Sequence, residues 1–446
     1  MPYKDLTPKQ RRIVDTDVKT LFTSREILTG QPIDHLGSSL DFLHPWRQTV
    51  KGSAPLSSVG VAALKRISET VTFLVELKGK VSAHEIADAV FDGYTAWVER
   101  EGEPTGEEFV FDTLKRLTPT IKEYEFLVPI EGLSLGEIGT LDLGTIRIQP
   151  SDRALFDQIG LGDFANPDRI YKQMGESSWM LGAAIGSPEI ATEQFEQRVT
   201  LTVGILAICG ALLYKGALRR SRVRPIMGPF DRRQTSVMLR WDAGGGNAQI
   251  TYSGGGIQDL SLDTEQVKYL TDTCRLKEMT ALIVEQSRSE IGEAVIRALY
   301  WFADAHIDRN CAMRLTKLWT CAESFFSLEK DRVTELNVSG IASILVFSGF
   351  QIVEFKDYGA VKKRLKALYD LRSRTLHRAE YDQISAKDID ELSHWLAWVI
   401  VSMMTLMERG YRSLAQVREQ CERLDSTMSS SARRSAQSKS TSKRGE

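Results

Sequence analysis

Two side chains near the C-terminus, Arg372 and His377, have the types and spacing needed to act on a phosphate. At neutral pH a histidine can take a proton from a 2′-hydroxyl or deliver one to a leaving oxygen. An arginine fork can hold a phosphate and offset the negative charge that builds on it. Together, such groups suit the cleavage of RNA by its own 2′-hydroxyl, a reaction that requires no metal.

The segment that carries this pair is strongly basic. Between residues 362 and 378 there are seven basic side chains and one acid, Asp370, a local excess of six on a chain whose net charge is −2. Clustered cations attract phosphates through counterion release, although a charge run is more often a solvated helix face. The candidate RNA contacts in this segment are Lys362, Lys366, Tyr369, Arg374 and Arg378.

Arg372 occupies an unusual position for a cation. On a helical wheel at 100° per residue it lies in the middle of an apolar face. That face is formed by Val361, Leu365, Leu368 and Leu376. An unpaired charge there is very costly, so we expect Glu323 to lie within about 6 Å of Arg372 and to pair with it.

Beside the apolar face, the wheel places a polar rim. Tyr369, Ser373 and His377 lie at roughly 60°, 100° and 140° from Arg372, and Arg372 and His377 are about 7.5 Å apart along the axis. Both side chains could therefore reach one phosphate that lies along the rim. Simpler roles stay open: His377 could cap carbonyl groups near the helix end, and Tyr369 could serve packing alone.

No metal centre and no cofactor are expected. The best candidate cluster is Asp304-x-His306-x-Asp308, but on a helix its histidine points away from the two aspartates. The five cysteines include no C-x-x-C pair, which argues against structural zinc and against a disulfide framework. We expect His306 and His394 to have structural roles.

The elements that must position these side chains change character along the chain. A length of 446 residues predicts two or three domains. The predicted fold class is α+β: a mostly helical N-terminal region over 1–125, an α+β middle region over 126–262 and an all-α helical bundle over 263–424. Residues 425–446 lack apolar periodicity and are expected to form a disordered basic tail.

Helical periodicity predicts finer boundaries. In the N-terminal region we expect helices over 61–77 and 82–100, the second one started by a capping box of Ser82 and Glu85. In the middle region two Gly-Gly-Gly runs are expected to form hairpin turns between strands. The bundle is expected to contain helices near 264–286, 289–307, 310–328, 337–349, 357–378 and 386–423.

No membrane segment is expected. The longest apolar run, Val199–Tyr214, has sixteen residues, fewer than the roughly 20 that span a bilayer, and is interpreted as a buried helix. The N-terminus lacks the apolar region of a signal peptide. Together with the cysteine usage, this pattern favours a cytoplasmic protein.

The surroundings of the Arg372/His377 pair resemble a HEPN domain, more narrowly the Apea-like HEPN group. The sequence LYDLRSRTLHRA, residues 368–379, is similar to the family's helix-borne R-x4–6-H motif. As in the family, a long terminal helix follows, here ISAKDIDELSHWLAWVIVSMMTLMERGY. Upstream, Trp319 and Glu323 match a tryptophan and a glutamate that recur in an earlier apolar helix of the family. The resemblance covers residues 290 to 420 approximately.

The resemblance implies a HEPN-type bundle and a metal-independent endoribonuclease that works as a homodimer, with both motifs meeting in one cleft. Arg372, His377 and Ser373 would be catalytic, and Glu323 would support them. Ser373 stands where the family commonly has Asn, Asp or His. Many such proteins are bacterial toxins or abortive-infection factors against phage. The apolar stretch 395–407 must be buried either in the bundle or against a partner.

Two classes of function remain open. The first is a ribonuclease effector in which residues 1–260 bind an activating trigger or restrain the site. The second is a non-catalytic HEPN module that binds RNA or a nucleotide, or only dimerises. The discriminating feature is whether Arg372 and His377 face a shared open cleft in a dimer.

Overall fold

The computed structural model of the chain describes residues 2–23, 46–49, 52–55, 58–159, 166–174, 177–214, 220–221, 223–227, 236–240, 249–253, 257–327, 332–378 and 383–442. The chain divides into two compact units, Met1–Phe126 with Ala183–Glu196 and Leu127–Gly182 with Gln197–Glu446. The first division falls one residue from the boundary expected after residue 125. The boundary expected at 262 lies inside the second unit.

The first unit is mainly helical. Its main elements are α1 (Pro8–Thr23), β1 (Trp46–Thr49), β2 (Gly52–Pro55), α2 (Ser58–Val71), α3 (Ala83–Glu99) and α4 (Gly106–Leu117). Helix α3 begins with the predicted capping box: the Ser82 hydroxyl accepts from the backbone N–H of Glu85, and the Glu85 carboxylate accepts from the backbone N–H of Ser82. Arg66 of α2 donates two hydrogen bonds to Asp17 of α1. Local sequence thus sets where α3 begins, and an ion pair joins α1 to α2.

The strands predicted for the middle region are present. They are β3 (Lys122–Glu131), β4 (Leu133–Ser134), β5 (Leu141–Leu143), β6 (Ile146–Gln149), β7 (Ser178–Gly186), β8 (Arg220–Ser221), β9 (Arg224–Pro225), β10 (Ser236–Arg240), β11 (Gln249–Ser253), β12 (Ile257–Gln258) and β13 (Leu260–Ser261). The largest sheet has the strand order β5-β6-β7-β3-β9. Its strands β5, β6 and β7 pair antiparallel, with Leu141 opposite Ile148 and Ile148 opposite Met180. These buried residues lie on one face because side chains alternate along a strand.

The two Gly-Gly-Gly runs, 244–246 and 254–256, lie outside the described residues. The strands that flank the first run, β10 and β11, pair antiparallel with Ser236 opposite Ser253, as a hairpin requires. Strand β12, which follows the second run, pairs in parallel with β8. Only the first run is therefore flanked by a hairpin pair.

All but the last residue of the segment expected to be a buried helix lies within α7 (Pro188–Leu213). Two shorter helices, α5 (Arg153–Gln158) and α6 (Pro167–Met174), precede it. Among the described residues, α7 is the one helix long and apolar enough to cross a membrane by length and composition. Within the protein, 67% of its most apolar stretch is buried. This burial is typical of a core helix.

The C-terminal region is helical, as predicted, and with the strands it gives a mixed α and β fold. Its α-helices are α8 (Thr264–Asp272), α9 (Leu276–Val284), α10 (Glu290–Ile307), α11 (Cys311–Phe326), α12 (Val333–Phe347), α13 (Tyr358–Arg378), α14 (Ala386–Glu408) and α15 (Leu414–Ser442). Residues 395–404 of α14 are all buried. Of the two locations expected for the apolar stretch, the structure therefore places its greater part inside the bundle.

Two predicted helices are each divided in two. The segment 264–286 breaks at Arg275, which has a left-handed φ of 61° and forms ion pairs with Glu278 and Glu408. The segment 386–423 breaks at Gly410, which has a φ of 92°. Glycine adopts this conformation without the steric cost that a Cβ imposes, so Gly410 marks the break in the sequence itself.

The end of the chain also differs from expectation. Helix α15 continues to Ser442, through most of the segment predicted to be a disordered tail. Residues 414–442 contain neither glycine nor proline, so nothing in this stretch interrupts the backbone hydrogen bonds of the helix. Low apolar periodicity alone was therefore a poor indicator of where this helix stops.

Candidate functional site

Helix α13 carries both members of the predicted pair. Val361, Leu365 and Leu368 are buried on its inner face, as predicted, whereas Leu376 is 46% exposed. The expectation for Leu376 is wrong because residues 376–378, the last of the helix, are all exposed. In the last turn of α13 the apolar face is thus no longer packed against other parts of the protein. The polar residues of this turn face solvent.

The predicted ion pair between Arg372 and Glu323 is confirmed. The Arg372 Nη2 atom lies 3.2 Å from Glu323 Oε1, and the two side chains are 17% and 21% exposed. Glu323 belongs to α11, so the pair joins α11 to α13. A cation in the middle of an apolar face has therefore obtained the carboxylate that its burial requires.

Aromatic side chains enclose this ion pair. Trp319 lies one turn before Glu323 on α11 and is fully buried, and its ring meets the ring of Tyr369 edge-on at 5.0 Å. The Arg372 guanidinium lies over the Tyr369 ring at 5.4 Å, a cation–π distance. Tyr369 is 9% exposed, which leaves no open ring face for a base. Its assignment as an RNA contact is therefore replaced by the packing role.

Two donors in this cluster have no hydrogen-bond partner among the described residues: Arg372 Nε and Trp319 Nε1. Burial raises the pKa of the Glu323 carboxyl above its usual value, although the positive charge of Arg372 acts to lower it. Two donors are therefore left without a partner after the Arg372–Glu323 pair has formed. Such a site has unused capacity for an anion.

Part of the positive charge of the basic segment is neutralised within the fold. Lys362 Nζ lies 2.6 Å from Asp425 Oδ1. Arg364 donates from Nε to Glu391 at 2.7 Å and from Nη2 to Asp388 at 2.5 Å. With the partner carboxylates counted, Glu323 among them, the local excess of six falls to two.

The remaining basic residues lie elsewhere on α13. Lys363, Lys366 and Arg378 are exposed and form no ion pair within the described part of the chain. Arg374 is half-buried and has an interaction within the protein. Lys363 was missed as a candidate contact, yet the helical wheel places it opposite the apolar face, at about 180° from Arg372. Lys362 is the less accessible of the two neighbours because Asp425 holds it.

Arg372 and His377 lie about one and a half turns apart on α13. His377 is exposed in the last turn of α13 and forms no hydrogen bond or ion pair with any described residue, so the capping alternative has no support in this part of the structure. On a continuous helix it is about 7.5 Å along the axis and about 140° around it from Arg372. Ser373 is half-buried between them. Arg372 is thus paired on the buried side of the helix and His377 is exposed near its end, with Ser373 between them around the helix.

His306, His394 and the acidic cluster around Lys317 form contacts within the fold. Lys317 bridges Asp304 and Asp308 at 2.9 and 2.7 Å, and His306 Nε2 accepts from the backbone N–H of Val223. His394 Nδ1 donates to the carbonyl of Ala211 at 2.7 Å. The described residues contain no group of three side chains placed to hold a metal ion.

Comparisons with protein-family models, with curated proteins and with solved structures gave no match. The likeness to a HEPN domain therefore rests on the motif and on the residues around it.

Proposed function

We propose that the protein is a metal-independent endoribonuclease of the HEPN type. The observation that carries the proposal is the state of Arg372 and His377 on α13. Arg372 is partly exposed and, among the described residues, is paired with one carboxylate through a single 3.2 Å contact. His377 is exposed and forms no hydrogen bond or ion pair with a described residue. Arg372 is a cation that still has a hydrogen-bond donor without a partner among the described residues. His377 is a potential general acid or base that is open to solvent.

The proposed reaction uses the nucleophile of the substrate itself. The 2′-oxygen of the RNA attacks phosphorus and loses its proton, while the bond from phosphorus to the 5′-oxygen breaks and that oxygen gains a proton. His377 moves one of these protons. Arg372 binds the non-bridging oxygens of the phosphate, and Ser373 donates a hydrogen bond to it. The products are a 2′,3′-cyclic phosphate and a 5′-hydroxyl.

The RNA would follow the exposed cations of α13. Lys363, Lys366 and Arg378 share the exposed surface of the helix with His377. Lys362, by contrast, is held by Asp425. We therefore propose Lys363 in place of Lys362 as a contact to the RNA backbone.

The homodimer and the biological setting remain proposals of the same kind. A dimer would place two copies of His377 in one cleft, so that one could accept a proton and the other donate one. Residues 395–404 of α14 are buried within the chain, so a dimer surface must lie elsewhere on the bundle. A cytoplasmic toxin or anti-phage effector, with a trigger bound by residues 1–260, would fit this activity.

The alternative is a module that binds RNA or a nucleotide, or only dimerises, without cutting. The internal neutralisation of Lys362, Arg364 and Arg372 favours it, because it lowers the charge available for RNA. Incubation of the purified protein with total RNA and with tRNA, in the presence of EDTA, separates the two. Cleavage supports the nuclease, and intact RNA supports the alternative.

A further inference from the structure

Two arginines of α13 are bound to carboxylates in different ways. Arg364 uses two of its nitrogens on two acids, Glu391 at 2.7 Å and Asp388 at 2.5 Å. Among the described residues Arg372 has one ion-pair contact, at 3.2 Å to Glu323, and its buried Nε has no hydrogen-bond partner. Arg364 is thus fixed by a fork of short bonds, whereas Arg372 is under-coordinated.

The incomplete pairing of Arg372 makes its carboxylate partner exchangeable. An unsatisfied buried donor is unfavourable, so the fold gains when a ligand supplies further acceptors to this guanidinium. A phosphate offers several oxygens, and an arginine fork matches two of them at once. The Glu323 carboxylate, by comparison, places one oxygen near the Arg372 guanidinium, at 3.2 Å from Nη2.

Glu323 also opposes such a ligand by its charge. A phosphate that binds Arg372 comes close to the Glu323 carboxylate, and two negative charges at that distance repel each other. The raised pKa of Glu323 shows that Arg372 only partly offsets the burial of this carboxylate. The same residue therefore holds Arg372 in place and competes with the anion that Arg372 would bind.

We propose that Glu323 is an internal competitor of the substrate: Arg372 exchanges the Glu323 carboxylate for a phosphate of the RNA. The inference rests on the proposed function and adds a regulatory device to that site. Without RNA, the ion pair between α11 and α13 keeps Arg372 occupied. The energy of phosphate binding is partly used to break this pair, so the affinity for RNA is lower than it would be if Arg372 were unpaired.

The test is the affinity for an RNA that cannot be cut. The probe is a fluorescent oligoribonucleotide with 2′-O-methyl groups throughout, measured by anisotropy with the full-length protein. Glu323→Gln keeps the size of the side chain and removes its charge, and it should tighten binding by at least about fivefold, as expected for one repulsive charge at close range. Glu391→Gln alters the corresponding partner of Arg364 and should leave the affinity unchanged.

The outcomes separate this inference from the proposed function. If the wild type binds the probe and Glu323→Gln binds it equally or more weakly, the competitor role is overturned. The nuclease proposal is unaffected by that result. No binding by any variant contradicts both. If melting curves show that Glu323→Gln is unfolded, Glu323→Asp takes its place. The shorter side chain withdraws the carboxylate from Arg372, so binding should again tighten, by a smaller factor, and weaker binding overturns the inference.

Discussion

The inner and outer faces of α13 use the same residue types for different purposes. On the inner side, Lys362, Arg364 and Arg372 are paired with acids from three neighbouring helices, α15, α14 and α11. On the outer side, Lys363 and Lys366 face solvent without such partners among the described residues. A basic segment in a sequence is thus a sum of structural and accessible charges, and only the second kind is available to a phosphate.

The largest effect is expected on the outer face, at His377. His377→Ala should lower the rate of RNA cleavage by about 10² to 10⁴, the usual contribution of general acid–base catalysis. Since His377 is exposed and bonded to no described residue, the melting temperature should stay unchanged. His84→Ala, at an exposed histidine of the first unit, is the matched control and should cut at the wild-type rate. Wild-type cleavage by His377→Ala would refute the catalytic role.

Arg372 belongs to both faces, because it is paired inside and proposed to bind phosphate. Arg372→Lys should lower the cleavage rate by about 10² or more, since an ammonium lacks the planar fork. Arg372→Ala should also lose about 1–3 kcal/mol of unfolding free energy, because Glu323 is left half-buried without its partner. Denaturant unfolding measures this loss. Full activity of Arg372→Lys would show that point charge alone is sufficient.

Adjacent lysines allow the two faces to be compared directly. Lys363→Ala with Lys366→Ala should weaken RNA binding by about three- to tenfold and reduce the salt slope of log K by about 1.4, the value for two phosphate contacts on a single strand. The free energy of unfolding of this double variant should equal that of the wild type. Lys362→Ala should cost roughly 1 kcal/mol of stability and leave the salt slope unaltered. A reversed pattern would mean that the accessible charges are assigned to the wrong face.

The smallest effect is expected in how the stability contributed by the inner face changes with pH. Burial acts to raise the pKa of Asp425, but hydrogen bonds from Lys362 and Tyr358 outweigh it and hold the pKa below its usual value. A carboxyl with a lowered pKa stabilises the fold above its ordinary pKa and loses this contribution as the pH falls through its folded value. Asp425→Asn should therefore cost about 1 kcal/mol at pH 7 and progressively less below about pH 4.

Glu323 should show the opposite trend. Because its pKa is raised in the fold, its contribution is present below the ordinary carboxyl pKa and is lost as the pH rises through the raised value. Urea titrations of the wild type and of Glu323→Gln across this range test the sign. A wild-type stability that rises with pH relative to Glu323→Gln would contradict the assignment.

Much of the inner face could be predicted from the sequence, because burial follows periodicity. The positions of Val361, Leu365 and Leu368 follow from the wheel, and the demand of a buried cation for a carboxylate led to Glu323. The exposure of Leu376 was not predictable in this way, since a wheel does not show where neighbouring helices stop covering a face.

Long-range pairings account for most of the remaining differences. Asp425 is 63 residues from Lys362 along the chain, and no local pattern connects them. Arg275, at the break in the predicted helix 264–286, pairs with Glu408 of another helix. By contrast, the capping box of Ser82 and Glu85 depends on short-range sequence and was predicted.

The central claim is that α13 supports metal-independent cleavage of RNA. The most direct measurement is the incubation of a 5′-labelled RNA with wild-type protein and with His377→Ala, each in excess EDTA, followed by analysis of the new ends. We expect the wild type to produce 2′,3′-cyclic phosphate and 5′-hydroxyl ends and to leave 2′-O-methyl RNA and DNA intact. We expect His377→Ala to be inactive. Loss of cleavage on addition of EDTA, or equal cleavage by His377→Ala, would contradict the central claim.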